Sequence, residues 1–118
     1  MTDFHSIRIP ADIVEGDGRV SPATAVAFLE GPAADAQGIV YFTDIWNNRI
    51  LQYDSRTDFT RVFSADSGRS NGLLFDAQGR LLACEGNEFG PGGRRRITRT
   101  DLTTGKVEVL TDRFEGAP

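Results

Sequence analysis

The sequence is poor in the residues that most often carry metal and redox chemistry. Of its 118 residues one is cysteine, Cys84, and one is histidine, His5. A single cysteine allows no intrachain disulfide and no cysteine-built zinc site; alone it reads as a small buried apolar side chain. One histidine offers neither a multi-histidine metal centre nor a histidine-based triad unless a second copy of the chain supplies more. Long apolar runs are missing too. The longest, Ala25-Val26-Ala27-Phe28-Leu29, falls far short of the roughly 20 residues of a membrane span. Asp3 stands where a signal peptide would carry basic residues, and no apolar stretch follows it, so a cytoplasmic location is expected. Basic excess is lacking as well: 13 Lys and Arg against 17 Asp and Glu give a net charge of -4. That balance argues against nucleic acid and against a membrane surface as partners. No window repeats apolar residues at helical spacing for long enough to make a core helix.

What the chain does have is glycine, 13 residues in all, and an internal repeat. Asp35-Ala36-Gln37-Gly38 recurs 41 residues later as Asp76-Ala77-Gln78-Gly79. Each copy is followed by an apolar stretch, Ile39-Val40-Tyr41-Phe42 and Leu81-Leu82-Ala83-Cys84, and then by an acid, Asp44 and Glu85. Further on, 48–54 matches 95–101 and Arg61-Val62-Phe63 matches Glu108-Val109-Leu110, now at an offset of 47. The change of offset places an insertion in the glycine-rich stretch 86–93. In repeat proteins such insertions collect in loops on one face, often the binding face.

Each unit reads as four short strands parted by turns. The first has a strand close to Ala33, then 39–44, 49–54 and 60–64; the second has 72–76, 80–85, 96–101 and 107–111. Asp-Ala-Gln-Gly suits a hairpin, because the Asp carboxylate can accept nearby backbone amides and Gly tolerates positive φ. Four strands per unit at this period predict an all-β fold, an N-terminal partial β-propeller of about two four-stranded antiparallel blades. The expected division is a lead over 1–29 with an outer closing strand within 13–28, a first blade over 30–70 and a second over 71–118. The alternative is one ordinary antiparallel sheet or small sandwich.

The offset of 41 also pairs Glu30 with Asn71, each just before the first strand of its unit. In a ring of blades these positions would point to one end of the central channel, where oxygen ligands from several blades can hold a hard cation. Gly68-Arg69-Ser70-Asn71-Gly72 matches the nucleophile pattern G-x-S-x-G. That pattern requires a helix after the serine, whereas Leu73-Leu74-Phe75 and a hairpin follow here, so the match reads as accidental. Arg94-Arg95-Arg96 reads as a solvated edge.

Glu30-Gly31-Pro32, Val40-Tyr41-Phe42-Thr43-Asp44 with Asn47-Asn48-Arg49-Ile50, Asn71-Gly72-Leu73 with Asp76 and Gly79-Arg80-Leu81-Leu82, and Phe114-Glu115-Gly116 together resemble the senescence marker protein 30/gluconolactonase family of six-bladed propellers. The resemblance implies a divalent-metal-dependent hydrolase, a carboxylic-ester hydrolase that opens sugar or related lactones by attack of metal-activated water. It implies Glu30 as a metal ligand and Arg69 and Asn71 as substrate-binding residues, with Glu85 or Glu88 near the pocket. The implied cofactor is a divalent ion, Ca²⁺ foremost, with Zn²⁺, Mg²⁺ or Mn²⁺ as alternatives, and the implied partner is a small-molecule lactone. The metal-binding asparagine and the catalytic aspartate that the family carries on later blades have no counterpart here, so no catalytic residue is assigned. Six blades at this period need roughly 250 to 280 residues, and the expectation is a fragment that is inactive alone. The alternative is a non-catalytic propeller binding module or structural fragment. Exposed blade faces offer a route to self-association, and three copies would make six blades.

Overall fold

The computed structural model describes residues 28–87, 89–113 and 115–117. The expected closing strand within 13–28 falls, but for Phe28, outside them, as do His5, Glu88 and Phe114. Eight strands follow in chain order: β1 (Leu29–Ala34), β2 (Val40–Asp44), β3 (Arg49–Asp54), β4 (Phe59–Ser64), β5 (Ser70–Phe75), β6 (Leu81–Glu85), β7 (Ile97–Thr100) and β8 (Val107–Thr111). They form two four-stranded antiparallel meanders, β1-β2-β3-β4 and β5-β6-β7-β8. Within each sheet every strand pairs with its sequence neighbour, as short hairpin connections dictate.

The hairpin turns are chemical copies of one another. The Asp35 carboxylate accepts the amides of Gln37 and Ile39, both at 2.9 Å, and that of Asp76 accepts the amides of Gln78 and Arg80, also at 2.9 Å. Gly38 and Gly79 close the turns at φ 79° and 74°, a conformation that costs glycine little and other residues more. Asp101 repeats the device, accepting the amides of Thr103 and Thr104.

The two sheets meet through β1 and β2 on one side and β5 on the other. Their shared core holds Ile39, Tyr41 and Ile50 from the first sheet and Leu81 and Ala83 from the second, with Phe63, Leu73, Phe75 and Leu102 packed around it. Tyr41 stands edge-on between Phe63 and Phe75, ring centroids 5.1 and 5.2 Å away. Each such aromatic pair adds about 0.5–1.5 kcal/mol to the gain from area burial. The seam therefore joins two separate four-stranded sheets by their inner strands, which is a partial propeller of two blades.

The register confirms the offset of 41. Leu29 faces Asp44 as Ser70 faces Glu85, and Ala34 faces Val40 as Phe75 faces Leu81. Both first ladders slip within one residue of the same place, between Glu30 and Ala33 and between Ser70 and Leu73. The later ladders slip between Ile50 and Leu51 and between Ile97 and Thr98, at the offset of 47.

Three expectations need correction. Glu30 and Asn71 do not precede their strands but are the second residue of each, because the ladder begins before the bulge and resumes after it. Cys84 is exposed rather than buried: along β6 it is Leu81, Ala83 and Glu85 that turn inward, which sends Leu82 and Cys84 to the other face. Arg94 and Arg96 are not a solvated edge, since both bind the buried carboxylate of Glu85.

Candidate functional site

The starts of β1 and β5, the ends of β2 and β6 and the starts of β3 and β7 all lie at one end of the two sheets, as the antiparallel register requires. Glu30 and Asn71 meet there. The hydroxyl of Thr43, a fully buried residue, lies 3.0 Å from the carbonyl oxygen of Glu30 and 3.0 Å from that of Asn71. Its single proton is shared between the twin carbonyls of the two blades. Gly31 makes the approach possible. At φ 50°, a Cβ on it would fall on the Asn71 carbonyl oxygen and come within 2.8 Å of the Gly72 Cα. The backbones at 30–31 and 71–72 are thus in direct contact, while both side chains remain exposed.

Below these positions sits a second pair of twins. Asp44 is fully buried. It accepts Asn47 Nδ2 at 2.6 Å and Arg49 Nε at 2.9 Å, and the amides of Phe28 and Asn47 at 3.4 Å. Burial by itself would push its carboxyl up, but these hydrogen bonds to the charged form outweigh it, and the group is held below the ordinary aspartate value. In the second blade Glu85 accepts Arg96 Nε at 2.8 Å, the counterpart of Arg49, and Arg94 Nε at 2.7 Å from the inserted loop. Arg94 reaches on to Asp66 at 2.8 Å, whose own carboxyl is held low chiefly by that bond. Asp44 and Glu85 are anchored by arginines and tie turns to strands.

Arg69 lies just below the same end. It is 7% exposed, and its guanidinium spans the turn of one blade and the loop of the other. Nη1 donates to the carbonyls of Ile45 and Trp46 at 3.0 Å each, and Nε donates to that of Pro91 at 2.8 Å. Its amide donates to Asn48 Oδ1 at 2.7 Å. The sequence pattern that singled it out carries no sign of these backbone acceptors, because they come from segments 22 to 24 residues away.

The serine of the G-x-S-x-G match is fully buried, donates to the Ser67 carbonyl and stands at the first position of a strand. It has neither the exposure nor the following helix of a nucleophile. Sequence reasoning missed Thr43, whose role depends on a contact across the seam. It also missed a cluster of exposed rings at this end: Phe28 lies 5.4 Å from Phe89, and Phe89 lies 5.8 Å from Trp46.

Among the described residues no three His, Cys, Asp or Glu side chains stand together as a metal site would need. A carboxylate and a carboxamide are the right donor types for a hard cation, but Ca²⁺ takes six to eight oxygens. The donors fit in kind and not in number, and no reaction step is assigned to these two blades through a metal.

The family model described as the SMP-30/Gluconolactonase/LRE-like region matches residues 28–118. Among solved structures, a gluconolactonase from Xanthomonas campestris, described as important in glucose secondary metabolic pathways, is 34% identical, with a TM-score of 0.61. The match covers 75% of this chain and 27% of that one. A second structure, from a structural-genomics programme and provisionally assigned as a gluconolactonase, is 31% identical with a TM-score of 0.62, over 75% of this chain and 29% of its own. The chain thus spans a little over a quarter of the length of these relatives. No curated protein matches it.

Proposed function

Because this chain belongs to the SMP-30/Gluconolactonase/LRE-like family, we propose that it provides two adjoining blades at the channel mouth of a gluconolactonase-type hydrolase, and that these two blades alone bind rather than hydrolyse. In this reading Glu30 offers one oxygen ligand to a divalent cation and Asn71 faces the lactone. The cation, when bound, would polarise the lactone carbonyl. Arg69 acts from below, holding the turn after β2 against the inserted loop, so that the mouth keeps its shape.

One observation supports this reading above the others: the twin positions 30 and 71 share a single buried hydroxyl through their carbonyls while both side chains stay open to solvent. The shared hydroxyl fixes the backbone that carries both residues, and their exposure leaves the carboxylate and the carboxamide open to a ligand. The non-catalytic side of the reading is favoured by the donor count. Two oxygen-bearing side chains leave most of a hard cation's shell to water or to other blades.

Calorimetric titration of the chain with Ca²⁺, Mg²⁺, Mn²⁺ and Zn²⁺, beside a proton-release assay on glucono-δ-lactone, tests the proposal. Weak cation binding lost in Glu30→Gln, with no metal-dependent ring opening by the chain alone, is expected. Cation binding that is unchanged in Glu30→Gln would place the ligand elsewhere and overturn it.

A further inference from the structure

We propose that Phe28, Phe89 and Trp46 form an apolar recognition wall beside Glu30, which selects a lactone carrying an aryl or other apolar ring substituent over a bare one. This rests on the reading of Glu30 and Asn71 as the polar end of a lactone site, and extends it to the ligand's other end.

The three rings come from three separate segments: the residue entering β1, the turn after β2 and the inserted loop between β6 and β7. They touch in series, at 5.4 and 5.8 Å between centroids, yet remain 44%, 49% and 57% exposed for Phe28, Phe89 and Trp46. Single exposed apolar side chains are ordinary, but three large rings in contact and half open to water form a patch that calls for a ligand or partner. The polypeptide holds this arrangement against a backbone cost. Phe89 sits at φ 64°, a left-handed conformation unfavourable for a bulky side chain by roughly 1–2 kcal/mol. The loop that carries it is tied down on both sides of the strain: Arg69 grips the Pro91 carbonyl, and the Arg94 amide donates to the Gly86 carbonyl at 2.8 Å. Gly92, at φ 95°, lies so close to Asn48 Nδ2 that a Cβ would come within 2.7 Å of it. The insertion is therefore folded down onto the first blade, with its one aromatic residue aimed at the other two.

The position of the wall decides the ligand class. Phe28 is two residues before Glu30, and along an extended chain alternate side chains share a face, about 7 Å apart. A lactone whose carbonyl lies by Glu30 would thus lay a ring substituent on Phe28 and its neighbours.

Trp46 is the only tryptophan in the chain, so its emission reports on the wall directly. The 118-residue chain is titrated with γ-phenyl-γ-butyrolactone and with γ-butyrolactone, in chelator so that the cation does not contribute. The phenyl compound is expected to shift Trp46 emission and to bind about tenfold tighter than the unsubstituted ring, and Phe89→Asn, which suits the left-handed backbone, should abolish that advantage. Phe28→Ala, which leaves the loop intact, should reduce it. Equal affinity for the two lactones, or a phenyl advantage that survives in both variants, overturns the proposal. A phenyl advantage in a chain that binds no cation would sustain the wall and remove only the metal reading.

Discussion

Replacing Thr43 by Val tests the seam on which the site is built. The two side chains have nearly the same shape, so the change opens no cavity; it removes the one proton shared between the Glu30 and Asn71 carbonyls, each 3.0 Å from Oγ1. Thr43 is fully buried, so water cannot readily take its place. Losing a typical hydrogen bond costs about 1 kcal/mol, and leaving a buried acceptor short of a donor costs about 1–3 kcal/mol. Both carbonyls keep a second lone pair, which places the expected loss near 2 kcal/mol. That is a large share of the stability of a small domain and corresponds to a fall of roughly 8–10 °C in Tm. Urea unfolding followed by Trp46 fluorescence and by far-ultraviolet circular dichroism measures it, with an unchanged slope showing that the unfolded state is not what moved. Thr43→Ser keeps the hydroxyl and should lose only about 1 kcal/mol, for the methyl group. A Val variant within about 0.5 kcal/mol of the parent, or a Ser variant that falls as far as Val, would refute the shared-proton seam.

Gly31→Ala should cost at least about 3 kcal/mol, because the new Cβ meets backbone that cannot step aside. Gly38→Ala, at positive φ in open space, should cost only about 1 kcal/mol; thermal melts that rank the two the other way would remove the close approach. Arg69→Met strips donors from three carbonyls, of which that of the buried Ile45 is least able to find water. A loss of about 2–4 kcal/mol is expected, with Trp46 fluorescence changing before the circular dichroism in urea; coincident transitions would mean that the turn and loop are not held by this residue. For Asp44, whose folded carboxyl titrates below the ordinary 3.8, the stabilisation is present above that value and fades as pH falls through the lower folded one. Asp44→Asn should therefore be least stable relative to the parent at neutral pH, with the gap closing below about pH 4; a gap constant from pH 7 to pH 2 in denaturant titrations would sink this assignment.

The strands and their order were legible because the signals are local. Asp35 and Asp76 each fold a turn with their own neighbours' amides, and one offset aligned Glu30 with Asn71 before any contact was known. The change from 41 to 47 likewise located the insertion, and the two offsets together make the ion pairs Asp44–Arg49 and Glu85–Arg96 counterparts. What could not be read depends on which segments touch. Nothing in Gly68-Arg69-Ser70 shows that the guanidinium will be consumed by carbonyls of Ile45, Trp46 and Pro91. Cys84 looked like a core residue by type, and only the phase of β6 shows that it faces outward. The aromatic wall was invisible for the same reason: Phe28, Trp46 and Phe89 are 18 and 43 residues apart in sequence, and a folded loop brings them together.

The bulges lie beside the two positions proposed to bind. Each first ladder slips at the start of its strand, after Glu30 in β1 and after Ser70 in β5, next to the twin positions 30 and 71. Their carbonyls then turn to Thr43 and close the seam, which leaves the side chains as the groups without a packing duty. The division predicts which substitutions each position tolerates. Glu30→Gln and Asn71→Asp keep the backbone and its bond to Thr43, so they should change stability by no more than about 0.5 kcal/mol while altering what the mouth binds. Substitutions at Gly31 or Thr43 should do the reverse, because there the backbone of the two blades is the site of contact.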